Sequence, residues 1–457
     1  MKELDYARGS ILLRIIQTAG PVLAAQICNL LYSVVDRIFL GRIGGDPVAA
    51  LGGIGLCFSV IMLIAAFANL FGMGGAPLCA MARGAGDIPR AGRILDIVFT
   101  MLLISGILLM IPGWIFAPEL LRLIGAADGN IASGVLYLRI YLCGTLFFMI
   151  STGLTPFMAA LGFPRMTMFS VVLGAVVNIV LDYLFIIVFP WGVAGAAAAT
   201  VLAQAASASV VLGFLRSRSR NCRVKLLKWE VLRNDWRTLL NIVSLGSVAF
   251  VMTFSNSLVS FVSNNVLSRL GGEIYVAIMT IAVAIRQMLE VPALAICEGT
   301  APLLSYNYGA GAGLRVWKAI RIMMTITLIY TASVWALIEW KAESFIRIFS
   351  SDEKMIELAV PLLQSYLFAF VFQALQYTSQ ATFKALNKKK RAIFFSLFRK
   401  VVIVVPLTMI LPYCGNLGIR GAFYAEPVSN FLGGTLVFIT MLLTLVPELK
   451  KMRSKVL

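Results

Sequence analysis

Apolar runs long enough to cross a bilayer recur along this chain, and they limit its fold more than any other feature. Leu95 to Phe116 and Ile320 to Leu337 are examples. At about 1.5 Å per helical residue, each covers about 30 Å of hydrocarbon. The chain is 60% hydrophobic and 13% charged, whereas a soluble domain sits near 45–50% apolar and about 25% charged. Length-per-domain expectations for soluble proteins therefore do not apply. The first apolar stretch, Ile11 to Leu40, is too long for the apolar core of a signal peptide and lacks its processing pattern, so it is expected to be a retained first helix.

Hydropathy and loop chemistry place twelve spans near 14–41, 48–71, 93–116, 132–157, 167–189, 192–215, 240–268, 274–297, 317–340, 358–383, 392–412 and 418–446. Charge tests this division independently, because cytoplasmic loops gather Lys and Arg. The loop at 216–237 carries Arg216, Arg218, Arg220, Arg223, Lys225, Lys228, Arg233 and Arg237. The loop after span ten carries Lys384, Lys388, Lys389, Lys390 and Arg391, and the tail carries Lys450, Lys451, Arg453 and Lys455. The intervening loops are poor in base, and the one near 339–357 is net acidic. Every second loop is basic, which predicts a multi-pass protein of the cell membrane with both termini cytoplasmic. The net charge of +18 is thereby assigned to membrane topology, with no nucleic acid as partner.

Several chemistries are excluded. Histidine is absent, which removes histidine proton relays, Ser-His-Asp catalysis and the usual zinc sites. No GxxxxGK[ST] phosphate loop is present. The seven cysteines form no CxxC pair and are expected to be packing residues. The chain is not expected to be an enzyme, and active transport would have to draw on an ion gradient or a separate subunit.

The two halves resemble each other. Gly74-Gly75-Ala76-Pro77-Leu78 aligns with Gly299-Thr300-Ala301-Pro302-Leu303, and without gaps Gly84-Ala85-Gly86 falls on Gly309-Ala310-Gly311 and Arg90 on Arg315, an offset of about 225 residues. Arg42-Ile43-Gly44-Gly45-Asp46 matches Arg269-Leu270-Gly271-Gly272-Glu273, and Gly192, Gly195 and Ala196 match Gly418, Gly421 and Ala422. Six helices per half put equivalent residues at the same depth, a parallel repeat about an axis along the membrane normal. The expected fold is all-α: a polytopic membrane protein with twelve transmembrane helices in two parallel-repeat six-helix lobes. Residues 1–215 form the N-terminal lobe, 216–238 a basic cytoplasmic linker and 239–457 the C-terminal lobe.

Over essentially its whole length the chain also resembles the multidrug and toxic compound extrusion (MATE) family. The matching motifs are Val35-Asp36-Arg37-Ile38-Phe39-Leu40-Gly41, Arg83-Gly84-Ala85-Gly86-Asp87, Asn178-Ile179-Val180-Leu181-Asp182, Gly192-Val193-Ala194-Gly195-Ala196-Ala197 and Tyr306-Asn307-Tyr308-Gly309-Ala310-Gly311. The resemblance implies antiport: export of amphipathic, often cationic compounds against H⁺ or Na⁺, through an outward-open V of two six-helix lobes. It implies no cofactor beyond the coupling ion. Expected partners are small organic substrates and membrane lipids, and the chain is expected to act as a monomer. A flippase for a lipid-linked polar precursor, on a related scaffold, is the alternative, and it should show a large cationic groove.

Intramembrane acids are few and costly, so each is a candidate functional group. Asp36 lies eight residues before Gly44, Asp182 eight before Pro190, and Thr200 eight after Gly192. All three are therefore expected about 12 Å inside the outer boundary. Asn178 is one turn before Asp182 on the same helix face. Such a group can give oxygen ligands to Na⁺, or hold a proton on a carboxylate whose charged form is penalised by burial. The family pattern places its cation or proton site on these helices, and no other metal site is expected. The bland alternative pairs Asp36 with Arg37 and leaves Asp182 in a buried hydrogen bond. The repeat counterparts of Asp36 and Asp182 are Ser263 and Thr408, so these acids were not duplicated. Glu290 either pairs with Arg286 one turn away or meets a cationic substrate, and Glu426 is the counterpart of Thr200. Gln287, Asn256, Gln373 and Gln376 complete the substrate-pathway candidates, with Gln380, Asn264 and Asn265 adding polar lining.

Overall fold

The computed structural model describes residues 3–40, 47–124, 131–217, 225–227, 234–350, 352–415 and 417–453. Every regular element among them is helical. The first half contains α1 (Ile11–Leu40), α2 (Pro47–Gly84), α3 (Ile88–Ile115), α4 (Ala117–Ile124), α5 (Ile131–Cys143), α6 (Thr145–Ala160), α7 (Pro164–Asp182) and α8 (Gly192–Ser217). The second contains α9 (Trp236–Gly271), α10 (Glu273–Gly309), α11 (Gly313–Arg347), α12 (Glu353–Leu367), α13 (Gln373–Ala385), α14 (Lys389–Leu397), α15 (Val405–Ile410) and α16 (Ile419–Arg453). Wider π-type turns follow α7 at Tyr183–Val188 and α14 at Phe398–Val404.

Among the described residues eleven helices are long and apolar enough to cross a membrane, and the pair α5 and α6, bent by 57° at Gly144, brings the number to twelve when counted as one span. Two boundaries differ from expectation. The second span was placed at 48–71 and the eighth at 274–297, yet α2 runs to Gly84 and α10 to Gly309. Hydropathy marks the edge of the hydrocarbon, whereas the hydrogen-bond ladder continues until the backbone turns. It turns at Gly86 (φ 78°) and Gly311 (φ 72°), in the left-handed region that glycine occupies without a Cβ clash. The short helix α4 between spans three and four is an addition that hydropathy did not mark.

The backbone repeats as the sequence does. Gly86 and Gly311 occupy matched positions, and Gly162 (φ 91°) is matched by Asn387 (φ 56°), one of the few other residues that tolerate that region. The bend at Gly144 has its counterpart in the 3₁₀ turn Phe370–Phe372 between α12 and α13.

Contacts divide the chain into two compact units. The first comprises Met1–Arg8 and Pro21–Gly246, the second Gly9–Gly20 and Ser247–Leu457. The division therefore falls inside α1 and α9. Within the first unit, a Cβ on Gly74 of α2 would lie 2.2 Å from the Ile242 carbonyl of α9. Within the second, a Cβ on Gly299 of α10 would lie 2.4 Å from Ala19 Cα of α1. Matched glycines thus let matched helices touch backbone to backbone, the close approach that small residues permit in membranes.

The first unit packs its core between α2, α3 and α6, with Leu95, Val98, Leu102, Leu154 and Phe157 buried. The chain ahead of α1 docks on it: the Tyr6 hydroxyl donates to the Ala159 carbonyl at 2.6 Å and Leu4 N–H to Gly162 O at 2.9 Å. Of the basic linker, Lys225 N–H donates to Asp96 at 2.7 Å and Leu227 N–H to Thr100 Oγ1 at 3.2 Å. Arg218, Arg220, Arg223, Lys228 and Arg233 lie outside the described residues, as do the motif from Arg42 to Asp46 and Lys455. The second unit packs Ile338, Leu363, Phe370 and Phe423 into its core.

Candidate functional site

In the first unit the site grows from the α7–α8 interface. Ala196, Ala197 and Ala203 on α8, with Gly174 on α7, are small enough to bring the two helices close. Polar groups then meet across the seam at two levels, two helical turns apart. Ser170 and Ser207 hydroxyls lie 2.8 Å from each other. Higher up, Asn178 Nδ2 donates to Thr200 Oγ1 at 3.4 Å, and Thr200 Oγ1 donates to the Ala196 carbonyl at 3.0 Å. One turn beyond Asn178 stands Asp182, fully buried at the end of α7. There the ladder widens into the π turn Tyr183–Val188. Single wide turns of this kind inside helices recur at functional sites.

Three of the four coupling candidates are therefore buried: Asn178 and Thr200 pair across this interface, and Asp182 follows one turn along α7. A carboxylate, an amide oxygen and a hydroxyl are hard oxygen donors of the kind that hold Na⁺, and the same carboxylate can hold a proton. Asp36 belongs to α1, but its side chain and that of Arg37 lie outside the described residues.

The second unit holds a different arrangement. Arg286 and Glu290 sit one turn apart on α10, and Arg286 Nε donates to Glu290 at 2.5 Å. Arg286 also reaches Glu426 of α16 at 3.1 Å and the Tyr366 hydroxyl of α12 at 3.1 Å. From the π turn after α14, Arg399 lies 3.3 Å and Lys400 2.5 Å from the same Glu426. Asn430 accepts from Arg399 at 2.6 Å, and Gln373 of α13 donates to Glu290 at 2.6 Å and to Tyr377 at 2.5 Å. The fold makes room for these large side chains. A Cβ on Gly433 would lie 2.8 Å from Arg399 Cγ, and Ser429 donates to the Arg399 carbonyl at 3.1 Å within the widened turn.

Glu290, Glu426 and Gln373 thus belong to one buried network. Gln376 is buried beside it on α13, whereas Gln287 and Asn256 are exposed. Asn264 and Asn265 line an open cleft of about 540 Å³ between α9 and α10, with Ser268, Thr280 and Phe261. Sequence reasoning overlooked Arg399 and Lys400. The signal was present: two adjacent bases well inside the span expected at 392–412, where buried charge is as costly as for the acids.

The sequence model of the MatE family matches residues 21–184 and again 249–410, so the family unit occurs twice in tandem. Multidrug export protein MepA of Staphylococcus saprophyticus is 22% identical over 416 residues, covering 91% of this chain and 90% of its own. MepA of Staphylococcus aureus strain MRSA252 is 22% identical over 400 residues, covering 87% of each. An outward-facing multidrug resistance MATE family transporter of the MOP superfamily superposes with a TM-score of 0.89 at 24% identity, over 99% of both chains. A MOP superfamily transporter from Pyrococcus furiosus, described as having a binding pocket of reverse polarity, gives a TM-score of 0.87 at 24% identity over 99% of both chains. The two tandem matches cover well over half of the sequence, and the chain belongs to the MatE family of membrane transporters, which work with a coupling ion and no cofactor.

Proposed function

We propose that this chain is a secondary active antiporter of the cell membrane that exports amphipathic, often cationic compounds in exchange for H⁺ or Na⁺. The observation that carries this reading is the grouping of Asn178, Asp182 and Thr200 at the buried α7–α8 seam, beside a π turn. Asp36 is assigned to the same coupling site by its expected depth on α1. The similarity to staphylococcal proteins named for multidrug export supports the substrate class. The protein works as a monomer among membrane lipids, with both termini cytoplasmic, and its lobes are the two repeats joined by the basic linker.

Two bound states follow from the chemistry. With Asp182 ionised, the oxygens of Asp182, Asn178 and Thr200 favour a small cation. With Asp182 protonated, the charge vanishes and the seam can close more tightly. Alternating between them links ion movement to the shape of the first unit.

Efflux from everted vesicles, with pH and Na⁺ gradients imposed separately, tests the reading. One of the two gradients is expected to drive accumulation of an organic cation such as ethidium. Ethidium flux that only ever runs downhill would reject antiport.

A further inference from the structure

The charges of the second unit's cluster do not balance. Arg286, Arg399 and Lys400 supply three cations, and Glu290 and Glu426 supply two carboxylates. The remaining groups in contact, Tyr366, Tyr377, Gln373 and Asn430, are neutral. Among the described residues, these are the charged and polar side chains that reach the cluster from α10, α12, α13, α16 and the π turn. Arg286, Arg399, Lys400 and Glu426 are all less than 10% exposed. A net positive charge is thus enclosed where little water can solvate it, a costly state unless something relieves it.

A guanidinium does not give up its proton under physiological conditions, whereas an ammonium can when it is buried. Only Lys400 among the three cations can therefore discharge the excess. Its loss of a proton leaves two guanidiniums facing two carboxylates, and Glu426 keeps both Arg286 and Arg399. A polar track leads to the cluster along α13. Gln373, Gln376 and Gln380 are buried, and the side-chain oxygen of each accepts no hydrogen bond from the protein. Gln380 donates to Ser396 at 3.1 Å at one end, and Gln373 reaches Glu290 at the other. Such oxygens can accept hydrogen bonds from water, and it is the ordered water that can carry a proton.

We propose that Lys400 is a second, exchangeable proton site, held in the C-terminal half, and that its proton leaves when an organic cation approaches this half. The inference rests on the antiport reading. The step breaks one N–H bond of the ammonium: the proton passes to water, and the electron pair stays on Nζ. One positive charge replaces another, so the cluster never carries both.

The test uses purified full-length protein and ethidium as probe. Proton release on ethidium binding is followed with a pH-indicator dye in weakly buffered solution, for wild type, Lys400→Arg, Lys400→Gln and Asp182→Asn. Wild type is expected to release protons. Lys400→Arg holds a permanent charge and is expected to lose the Lys400 share of the release, with ethidium affinity at least about tenfold weaker. Lys400→Gln is expected to lose the same share while keeping ethidium affinity. The double variant Lys400→Gln with Glu426→Gln restores a fixed positive excess without added volume, and is expected to behave as Lys400→Arg does. This guards against misfolding of the arginine variant. Wild-type proton release in both single Lys400 variants would overturn the proposal, and antiport would stand if Asp182→Asn still abolished gradient-driven efflux. Equal loss of affinity in Lys400→Gln and Lys400→Arg would also overturn it, by making Lys400 structural. Chloride-dependent stabilisation of wild type that vanishes in Lys400→Gln, with unchanged proton release, would overturn it in favour of a bound anion. Failure of either gradient to drive efflux in wild type would sink the antiport reading itself.

Discussion

The two halves of the molecule bury polar groups in opposite ways on matched scaffolds. At the α7–α8 seam, Asn178 pairs with the Thr200 hydroxyl, and the buried Asp182 stands one turn further along α7. At the matched positions of the second half, Thr408 stands for Asp182 and donates to the Val404 carbonyl at 2.8 Å, while Glu426 stands for Thr200 and is held by three cations. Duplication preserved the glycine turns and the helix bends but not the charges. Neutral oxygens around a carboxylate suit a cation that comes and goes. Resident guanidiniums around a carboxylate suit one that stays ionised. The comparison therefore sets a buried carboxylate among neutral oxygens against one held by resident cations.

The largest effect expected is on transport. Asp182→Asn keeps the side chain's shape but removes its ionisation, so gradient-driven efflux from everted vesicles should fall to the level of vesicles lacking the protein, with expression and thermal stability near wild type. Asp36→Asn should do the same. Retention of wild-type efflux by both variants at equal protein level would break the comparison at its first term.

Next comes stability in the second half. Glu426→Gln removes the carboxylate that three cations share. Breaking a buried pair from one side costs about 3–5 kcal/mol, so a clear drop in melting temperature is expected. Adding Lys400→Gln should recover part of it. Glu290→Gln should cost less, because Arg286 retains Glu426 and Tyr366. Its export defect should be equal for a cationic dye and a neutral analogue of like size, and adding Arg286→Gln should restore stability. A defect confined to the cation would instead make Glu290 a substrate contact.

The matched glycines provide a smaller test that should give equal answers in both halves. A Cβ at Gly74 meets backbone at 2.2 Å and one at Gly299 meets backbone at 2.4 Å. Neither neighbour is the end of a flexible side chain, so Gly74→Ala and Gly299→Ala should each destabilise by about 1–3 kcal/mol through overpacking. Unequal losses, measured by thermal melts in the same detergent, would show that only one of the two helix contacts is tight.

The spans, their number and the repeat were legible in the sequence because each rests on a pattern of many residues: apolar length, alternating basic loops and matched glycine motifs. That Asn178, Asp182 and Thr200 are buried was legible, because their distances from the helix ends put them inside the apolar spans. The exchange of Gly9–Gly20 and of the start of α9 between units was not, since hydropathy says nothing about which neighbour a helix touches. The five-charge cluster was half legible. Glu290 lies i+4 from Arg286, a local relation, but Arg399 and Lys400 reach Glu426 only through tertiary packing around a π turn. The sequence left Glu290 open between the Arg286 pair and a cationic substrate, and of these the structure shows the pair.

The smallest expected effect separates the two candidate ions. Thr200 touches Asn178 through a hydrogen bond of 3.4 Å, near the limit of such contacts, and satisfies its own hydroxyl on Ala196 O. Thr200→Val keeps the volume and removes the oxygen, which should cost about 0.5–1.5 kcal/mol of stability. Its effect on coupling depends on what the hydroxyl does. If Na⁺ is the coupling ion, the hydroxyl is one of its few ligands, and the variant should need a higher Na⁺ concentration for half-maximal efflux while its maximal rate stays close to wild type. If H⁺ is the coupling ion, the proton sits on Asp182 and Thr200 only orients Asn178, so the dependence on pH should be nearly unchanged. Thr408 offers the control from the other half: its hydroxyl also bonds to the carbonyl one turn earlier, but the matched acid there, Glu426, is already held by three cations, so Thr408→Val should shift neither dependence. A shift in both variants would mean that loss of a buried hydroxyl disturbs transport through packing alone, and the distinction between the halves would then rest on Asp182 without Thr200.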